Sequence, residues 1–220
     1  MISRYHDRRD AGQRLALELR AYAHRSDVIV LALPRGGVPV GFEVAIALGA
    51  PLDVFVVRKL GLPWRDELAM GAIASGGVRV LDRELIRVAR VSDVELAHVI
   101  AAEQSELERR ERLYRGDRAF PDLRGNTVIL VDDGLATGST MRAAITALRL
   151  EHPSRIVVAV PLAARETCDA FRDVVDEIVC ALTPEPFLAV GMWYADFSQT
   201  TDSEVHDLLD RARGAIHATV

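Results

Sequence analysis

The stretch VILVDDGLATGST, residues 128–140, decides the fold. Its apolar run Val128, Ile129, Leu130 and Val131 stops at two carboxylates, Asp132 and Asp133. It then passes through Gly134, Leu135 and Ala136 into Thr137, Gly138, Ser139 and Thr140. An apolar helical pattern follows, so the stretch reads as a buried strand, a polar loop and a helix start. In a parallel α/β sheet such a loop lies at the carboxyl end of a strand, where ligands bind. Its two halves suit different ligand groups. Backbone N–H groups of Gly138 to Thr140, with the hydroxyls of Thr137, Ser139 and Thr140, make an anion cradle at a helix N-terminus. Asp132 and Asp133 would repel that anion, and they suit sugar hydroxyls, or Mg²⁺ held directly or through water. A P-loop would need Gly-Lys-Ser/Thr, and no lysine is present here. A response-regulator acid pocket would leave the Thr-Gly-Ser-Thr turn unexplained.

Working towards the N-terminus, VIVLAL from Val28 to Leu33 is a second buried strand. It ends in Pro34, Arg35, Gly36 and Gly37, and a helical pattern carrying Val40, Val44, Ala47 and Leu48 follows. The glycines at 36, 37 and 41 have the wrong spacing for a dinucleotide fingerprint. Two residues without Cβ let the backbone approach an anion closely, and the Arg35 guanidinium can grip a diphosphate through two hydrogen bonds. Before this unit, residues 8–23 show helical spacing of Leu15, Leu19 and Tyr22, with the arginines expected on the wet face. After it, PLDVFVV predicts another strand, ending at Arg58 and Lys59, and residues 72–81 predict a hairpin centred on Gly76 and Gly77.

Towards the C-terminus, a helix over 139–150 precedes the strand RIVVAVPLA, a helix over 165–171 and the strand DEIVCAL. Strands alternating with helices predict an α/β fold, a doubly wound parallel sheet of about five strands. Between residues 82 and 118, Ser92 and Glu95 form a capping box, and Leu96, Ile100, Leu107 and Tyr114 mark a long helix. Glu106 with Arg110, Glu108 with Arg112 and Glu111 with Arg115 support it at a spacing of four. The last forty residues gather Phe187, Trp193, Tyr194 and Phe197 in an irregular segment before a terminal helix over 203–215.

At 220 residues and 50% hydrophobic content the chain can bury a full core, and two ordinary domains would be cramped. A net charge of −5 gives no electrostatic footprint for nucleic acid or an anionic membrane. Cys168 and Cys180 lack metal-ligand spacing, so a disulfide framework is not expected and a reducing cytoplasm fits. The N-terminal residues are too polar for a signal peptide, and no apolar run reaches membrane-spanning length. The six histidines are scattered and receive no chemical role.

The stretch 128–140 resembles the 5-phosphoribosyl-1-pyrophosphate (PRPP) motif of the type I phosphoribosyltransferases: four apolar residues, two acids, three variable residues, then Thr-Gly-x-Thr. The resemblance implies a single phosphoribosyltransferase-like domain over 1–220, with a helical insertion at about 82–118 and a hood at about 183–202 completed by the terminal helix. It implies that Asp132 and Asp133 hold the ribose 2′ and 3′ hydroxyls, that the turn Thr137, Gly138, Ser139 and Thr140 holds the 5′-phosphate, and that Gly134 and Ala136 belong to the same PRPP-binding loop. Pro-Arg-Gly-Gly at 34–37 is similar to the family's pyrophosphate loop, which often carries a non-proline cis peptide; one is expected around Arg35 and Gly36. Val57-Arg58-Lys59 with Gly61-Leu62-Pro63 looks like the corresponding stretch of adenine phosphoribosyltransferases. Arg58 and Lys59 are thereby implied to meet pyrophosphate, and residues 60–68 to form a mobile lid. Phe187, Trp193 and Phe197 become acceptor-site candidates in the hood.

The activity implied is transfer of the phosphoribosyl group from PRPP to a nitrogenous base, with release of pyrophosphate, as in nucleotide salvage. Arg35, Lys59, Asp132 and Asp133 would act in catalysis, and Mg²⁺ would be bound mainly through PRPP. A cytoplasmic homodimer is the expected setting. The 6-oxopurine enzymes typically carry Asp immediately before Thr-Gly, where this chain has Ala136; that departs from hypoxanthine or guanine salvage. The alternative is a non-catalytic PRPP- or nucleotide-sensing regulator of the same fold. The absence of a visible basic DNA-binding region, and the presence of Arg58 and Lys59, favour an enzyme.

Overall fold

Val28–Ala32 (β1) and Thr127–Val131 (β6) run side by side in parallel, in register from Val28 opposite Thr127 to Ala32 opposite Val131. Elements are numbered along the chain. Every residue of both strands is buried, as their unbroken apolar runs require of strands covered on both faces. The computed structural model describes residues 4–217, which divide into two compact units: one of residues up to 54, 123–138 and from 153 onward, the other of 55–122 and 139–152.

The first unit holds a five-stranded parallel sheet in the order β2-β1-β6-β7-β8, with β2 at Leu52–Val54, β7 at Arg155–Leu162 and β8 at Glu177–Leu182. Helices α1 (Arg8–Glu18), α2 (Gly37–Leu48), α6 (Arg165–Phe171) and α7 (Asp202–His217) flank it. The Asp7 carboxylate starts α1 by accepting the Asp10 N–H at 2.8 Å. The segment before α7 contains a short 3₁₀ turn, Val190–Trp193. It docks through backbone bonds from Tyr5 N–H to the Trp193 carbonyl (2.9 Å) and from Ala195 N–H to the Tyr5 carbonyl (2.8 Å).

The second unit holds an antiparallel sheet of β3 (Val57–Leu62), β4 (Arg65–Ala74) and β5 (Val78–Leu81). Helices α3 (Arg83–Val88), α4 (Asp93–Arg115) and α5 (Ser139–Arg149) pack on these strands. Ser92 and Glu95 form a reciprocal cap at the start of α4, and Leu107 and Tyr114 are its buried apolar residues.

Three expectations are corrected. The run PLDVFVV is two strands, because its backbone changes partners: the buried Val56 exchanges both its N–H and its carbonyl with Ser75. Residues 60–68 form a β-hairpin where a loop is expected, and Arg58 and Lys59 lie inside β3, opposite Ile73 and Ala72. The β-pairing groups on either side of Pro63 find antiparallel partners, which outweighs the turn chemistry that suggested a loop. Cys168 on α6 and Cys180 on β8 form a disulfide, with Cα atoms 6.6 Å apart. Their spacing of twelve residues is closed by the helix returning onto the neighbouring strand, a tertiary effect that spacing alone does not reveal. Among the described residues no helix is long and apolar enough to cross a membrane.

Candidate active site

From β1 the chain proceeds to β2 on one side, and from β6 to β7 and β8 on the other, so the strand order reverses between β1 and β6. A crevice opens outside the carboxyl ends of strands at such a switch point. Residues 33–37 leave β1 there, and residues 132–138 leave β6. The Leu33 N–H donates to the Val131 carbonyl at 2.9 Å, carrying the pairing one step beyond the strands. The peptide between Pro34 and Arg35 is cis, at the place the resemblance implied.

The two loops touch. A Cβ on Gly36 would run into the Asp133 carboxylate, and one on Gly37 would lie 2.8 Å from the Val131 carbonyl oxygen and 3.0 Å from the Asp132 Cα. The glycines are therefore demanded by the approach of the acid pair, before any ligand is considered. Arg35 projects its guanidinium to within 3.7 Å of the Asp202 carboxylate, at the start of α7.

The acids occupy unlike surroundings. Asp132 Oδ1 accepts the Asp133 N–H at 2.9 Å. Burial, then the neighbouring charge of Asp133, push the Asp132 carboxyl well above its ordinary value. Burial raises Asp133 too, opposed by the cation of Arg8. Arg8 Nε donates to Asp133 Oδ2 at 2.8 Å, with side-chain exposures of only 12% and 16%. The same guanidinium donates from Nη1 to the Ser198 carbonyl at 2.7 Å and lies 3.9 Å from the centroid of the Phe197 ring. Tyr194, its phenol pushed up by burial and so firmly a donor, bonds the Asp133 carbonyl at 2.5 Å.

Arg8 corrects the expectation that the α1 arginines form a wet face. No signal in the sequence pointed to it, because its partner lies 125 residues away and helical spacing cannot foresee that contact.

Beyond the acids, the Leu135 N–H donates to the Leu162 carbonyl and the Ala164 N–H to the Leu135 carbonyl, pinning the loop to the end of β7. Gly134 packs so closely on Val190 that a Cβ would lie 2.5 Å from its Cγ1. Thr167 Oγ1 donates to the Ala136 carbonyl at 2.6 Å. Gly138 has φ of +72°, and a Cβ there would meet the Phe171 ring at 2.6 Å, so both backbone and packing require glycine. Thr137 is exposed beside it.

Phe187 and Trp193 pack, partly buried, against the cluster of Tyr5, Ala11, Leu162 and Tyr194. Phe197 is the aromatic of the three that reaches the acids, through Arg8, and its ring lies 5.0 Å from that of Tyr194. In the other unit, Ser139 and Thr140 open α5, and Lys59 Nζ donates to Ser139 Oγ at 3.3 Å. Arg58 Nε is held by Glu103 of α4 at 2.6 Å. Among the described residues no group of three or more His, Cys, Asp or Glu could cage a metal ion.

Residues 1–184 match the model of the phosphoribosyl transferase domain. The chain is 45% identical over 208 residues to Rv0571c of Mycobacterium tuberculosis, a protein provisionally named a phosphoribosyl transferase. That match takes in 94% of this chain and 47% of the relative, so the chain spans about half the length of the curated relatives it matches. The crystal structure of TT1426 from Thermus thermophilus superposes with a TM-score of 0.82 at 41% identity, covering 94% of this chain and 97% of that one. AQ2163 from Aquifex aeolicus shares the fold at a TM-score of 0.51 and 13% identity, over 92% of this chain and 84% of its own. An acid pair at the switch point of a parallel sheet, set against a glycine-rich loop, thus occurs in a chain that belongs to the phosphoribosyltransferase family.

Proposed function

We propose that the protein binds PRPP and transfers its 5-phosphoribosyl group to a nitrogenous base, releasing pyrophosphate. The observation that carries this reading is the contact between the loop 34–37 and the acid pair at the end of β6. The two loops bring together what suits a diphosphate (a guanidinium and a close backbone amide) and what suits a diol (carboxylate oxygens). Asp132 and Asp133 would accept hydrogen bonds from the ribose hydroxyls. Arg35 with the Gly36 amide would bind the pyrophosphate, the Gly37 N–H being donated to the Leu33 carbonyl at 3.1 Å. Thr137, Gly138, Ser139 and Thr140, consecutive in the chain, would take the 5′-phosphate; Lys59 is bonded to Ser139.

In the reaction a ring nitrogen of the base forms a bond to C1 of the ribose as the bond from C1 to the pyrophosphate oxygen breaks, and the electron pair leaves with that oxygen. The protein's part is positioning and charge compensation of the departing oxygens. Two adjacent hard-oxygen donors fit a Mg²⁺ ion that brings most of its ligands from the substrate, and do not fit a protein-only cage. Bound there, the ion would neutralise diphosphate charge, with Asp132 and Asp133 as its protein contacts.

Isothermal calorimetry with PRPP and Mg²⁺ tests the site. Asp132→Asn and Asp133→Asn should each weaken binding by about tenfold or more, equivalent to roughly 1.4 kcal/mol, while the proteins remain folded. Unchanged affinity in both would remove the ribose role. A pyrophosphate-release screen across purine and pyrimidine bases tests turnover. One observation favours a regulator that binds PRPP without turning it over: Arg58 is tied to Glu103 and so is engaged away from pyrophosphate chemistry. Tight PRPP binding with silence across every base would establish that second reading.

A further inference from the structure

Asp133 is tied to one short segment by two routes, directly through its main chain and by way of Arg8 through its side chain. Its side chain is bonded by Arg8, whose other guanidinium nitrogen grips the Ser198 carbonyl and whose plane rests on Phe197. Its backbone carbonyl is bonded by Tyr194, which in turn packs on Phe197. Arg8 is turned inward, nearly buried at the start of α1, and its contacts run to Asp133 and to residues 197 and 198. A planar, forked cation can join two acceptors at fixed angles while stacking on a ring, and a lysine ammonium cannot.

We propose that Arg8 is a positioning residue that couples the carboxylate of Asp133 to the segment Tyr194–Ser198, so that a diol seated on Asp133 sets the placement of that segment. The inference rests on the PRPP reading of the acid pair and adds to it a link between sugar binding and the hood. When ribose hydroxyls donate to Asp133, the carboxylate turns to meet them. Arg8 follows its oxygen, and the Ser198 carbonyl and the Phe197 ring follow Arg8. The Tyr194 bond transmits the accompanying shift of the Asp133 main chain. Arg8 also offsets one negative charge beside a strongly anionic substrate.

The test uses the full chain labelled with 5-fluorotryptophan, whose two resonances come from Trp64 and Trp193 and are assigned with Trp193→Phe. PRPP with Mg²⁺ is titrated by calorimetry and by fluorine NMR. With Arg8 intact, the Trp193 resonance should shift and saturate together with the heat of binding. Arg8→Lys keeps the charge but loses the fork, so affinity should fall by only about threefold while the Trp193 response disappears. Arg8→Met removes charge and fork, and affinity should fall by about tenfold or more. Should Arg8→Met fail to fold, Phe197→Leu, which removes the ring beneath the guanidinium, should still diminish the Trp193 response. A full Trp193 response in Arg8→Lys, or no response with Arg8 intact despite measurable PRPP binding, overturns the coupling. Absence of any PRPP binding with Arg8 intact brings down the substrate reading itself, an outcome distinct from both.

Discussion

Replacing Gly36 by alanine probes how tightly the two loops are fitted. Gly36 has φ −59° and ψ −32°, an ordinary right-handed conformation, so alanine brings no backbone strain and the whole effect is steric. The new methyl collides with the Asp133 carboxylate and lies 3.3 Å from Arg8 Nε. Forcing a methyl into a filled site costs about 1–3 kcal/mol. Pushing Asp133 off Arg8 adds about 1 kcal/mol, a figure kept small because the pair retains some solvent screening. We therefore expect Gly36→Ala to destabilise the protein by about 2–4 kcal/mol in urea unfolding, a large share of the stability of an ordinary domain. Asp133→Ala removes the atoms that the methyl strikes. In that background the further cost of Gly36→Ala should fall below about 1 kcal/mol, giving a coupling free energy of about 1–4 kcal/mol in the double-mutant cycle. Equal costs in the two backgrounds would show that the loops do not meet as described.

The remaining predictions concern the acids, the second unit and the disulfide. Because burial raises the Asp132 carboxyl in the folded state, the native protein holds its proton to higher pH than the unfolded chain does. The stability this contributes is complete below the ordinary value of 3.8 and is lost as pH rises through the raised folded value. Asp132→Asn should remove that loss and stabilise the protein at neutral pH by about 1 kcal/mol, seen as a higher melting temperature with a flatter pH dependence; a lower melting temperature would contradict the buried charge. PRPP affinity of the unmodified protein should rise with pH over the same interval, as measured by calorimetry. Arg58→Ala and Glu103→Ala should each cost no more than about 1 kcal/mol and be non-additive, since their pair is partly exposed; full additivity in chemical denaturation would deny the contact. Reduction of the Cys168–Cys180 bridge should lower the unfolding free energy by about 3 kcal/mol from the loop it closes, and peptide mapping without reductant should recover the linked pair.

What could be read from the chain follows from the range of each interaction. The run 128–131, the two acids and the Thr-Gly turn are contiguous, and burial on both faces leaves an unbroken apolar signature; the parallel sheet and its switch-point loops were therefore visible beforehand. Gly36, Gly37 and Gly138 were visible as residues, but the reasons the structure gives for them are tertiary: the Asp133 carboxylate, the end of β6 and the Phe171 ring. PLDVFVV misled because hydrophobicity continues across Phe55 and Val56 while the hydrogen-bond partner changes to Ser75. The hairpin over 57–74 hid behind Pro63, a turn residue that suits a loop and a β-turn equally. Arg8 was invisible because its meaning comes from Asp133, Phe197 and Ser198, all far away in sequence. Phe197 could be singled out as an aromatic in the right region; its place as the floor beneath a guanidinium could not.

β6 is flanked on both edges and buried over its whole length, yet Asp132 follows its last residue without a break. Amide protons of residues 128–131 should consequently exchange with solvent only through the rarest openings of the sheet, while those of the exposed Ala136 and Thr137 should exchange through local excursions. Asp132 and Asp133 thus stand at the rim of the backbone expected to be best protected in their unit, a stiff post whose tip is the loop beyond them. Occupancy of the tip would slow exchange there and leave the post unchanged, so that deuterium uptake alone would map where a ligand sits.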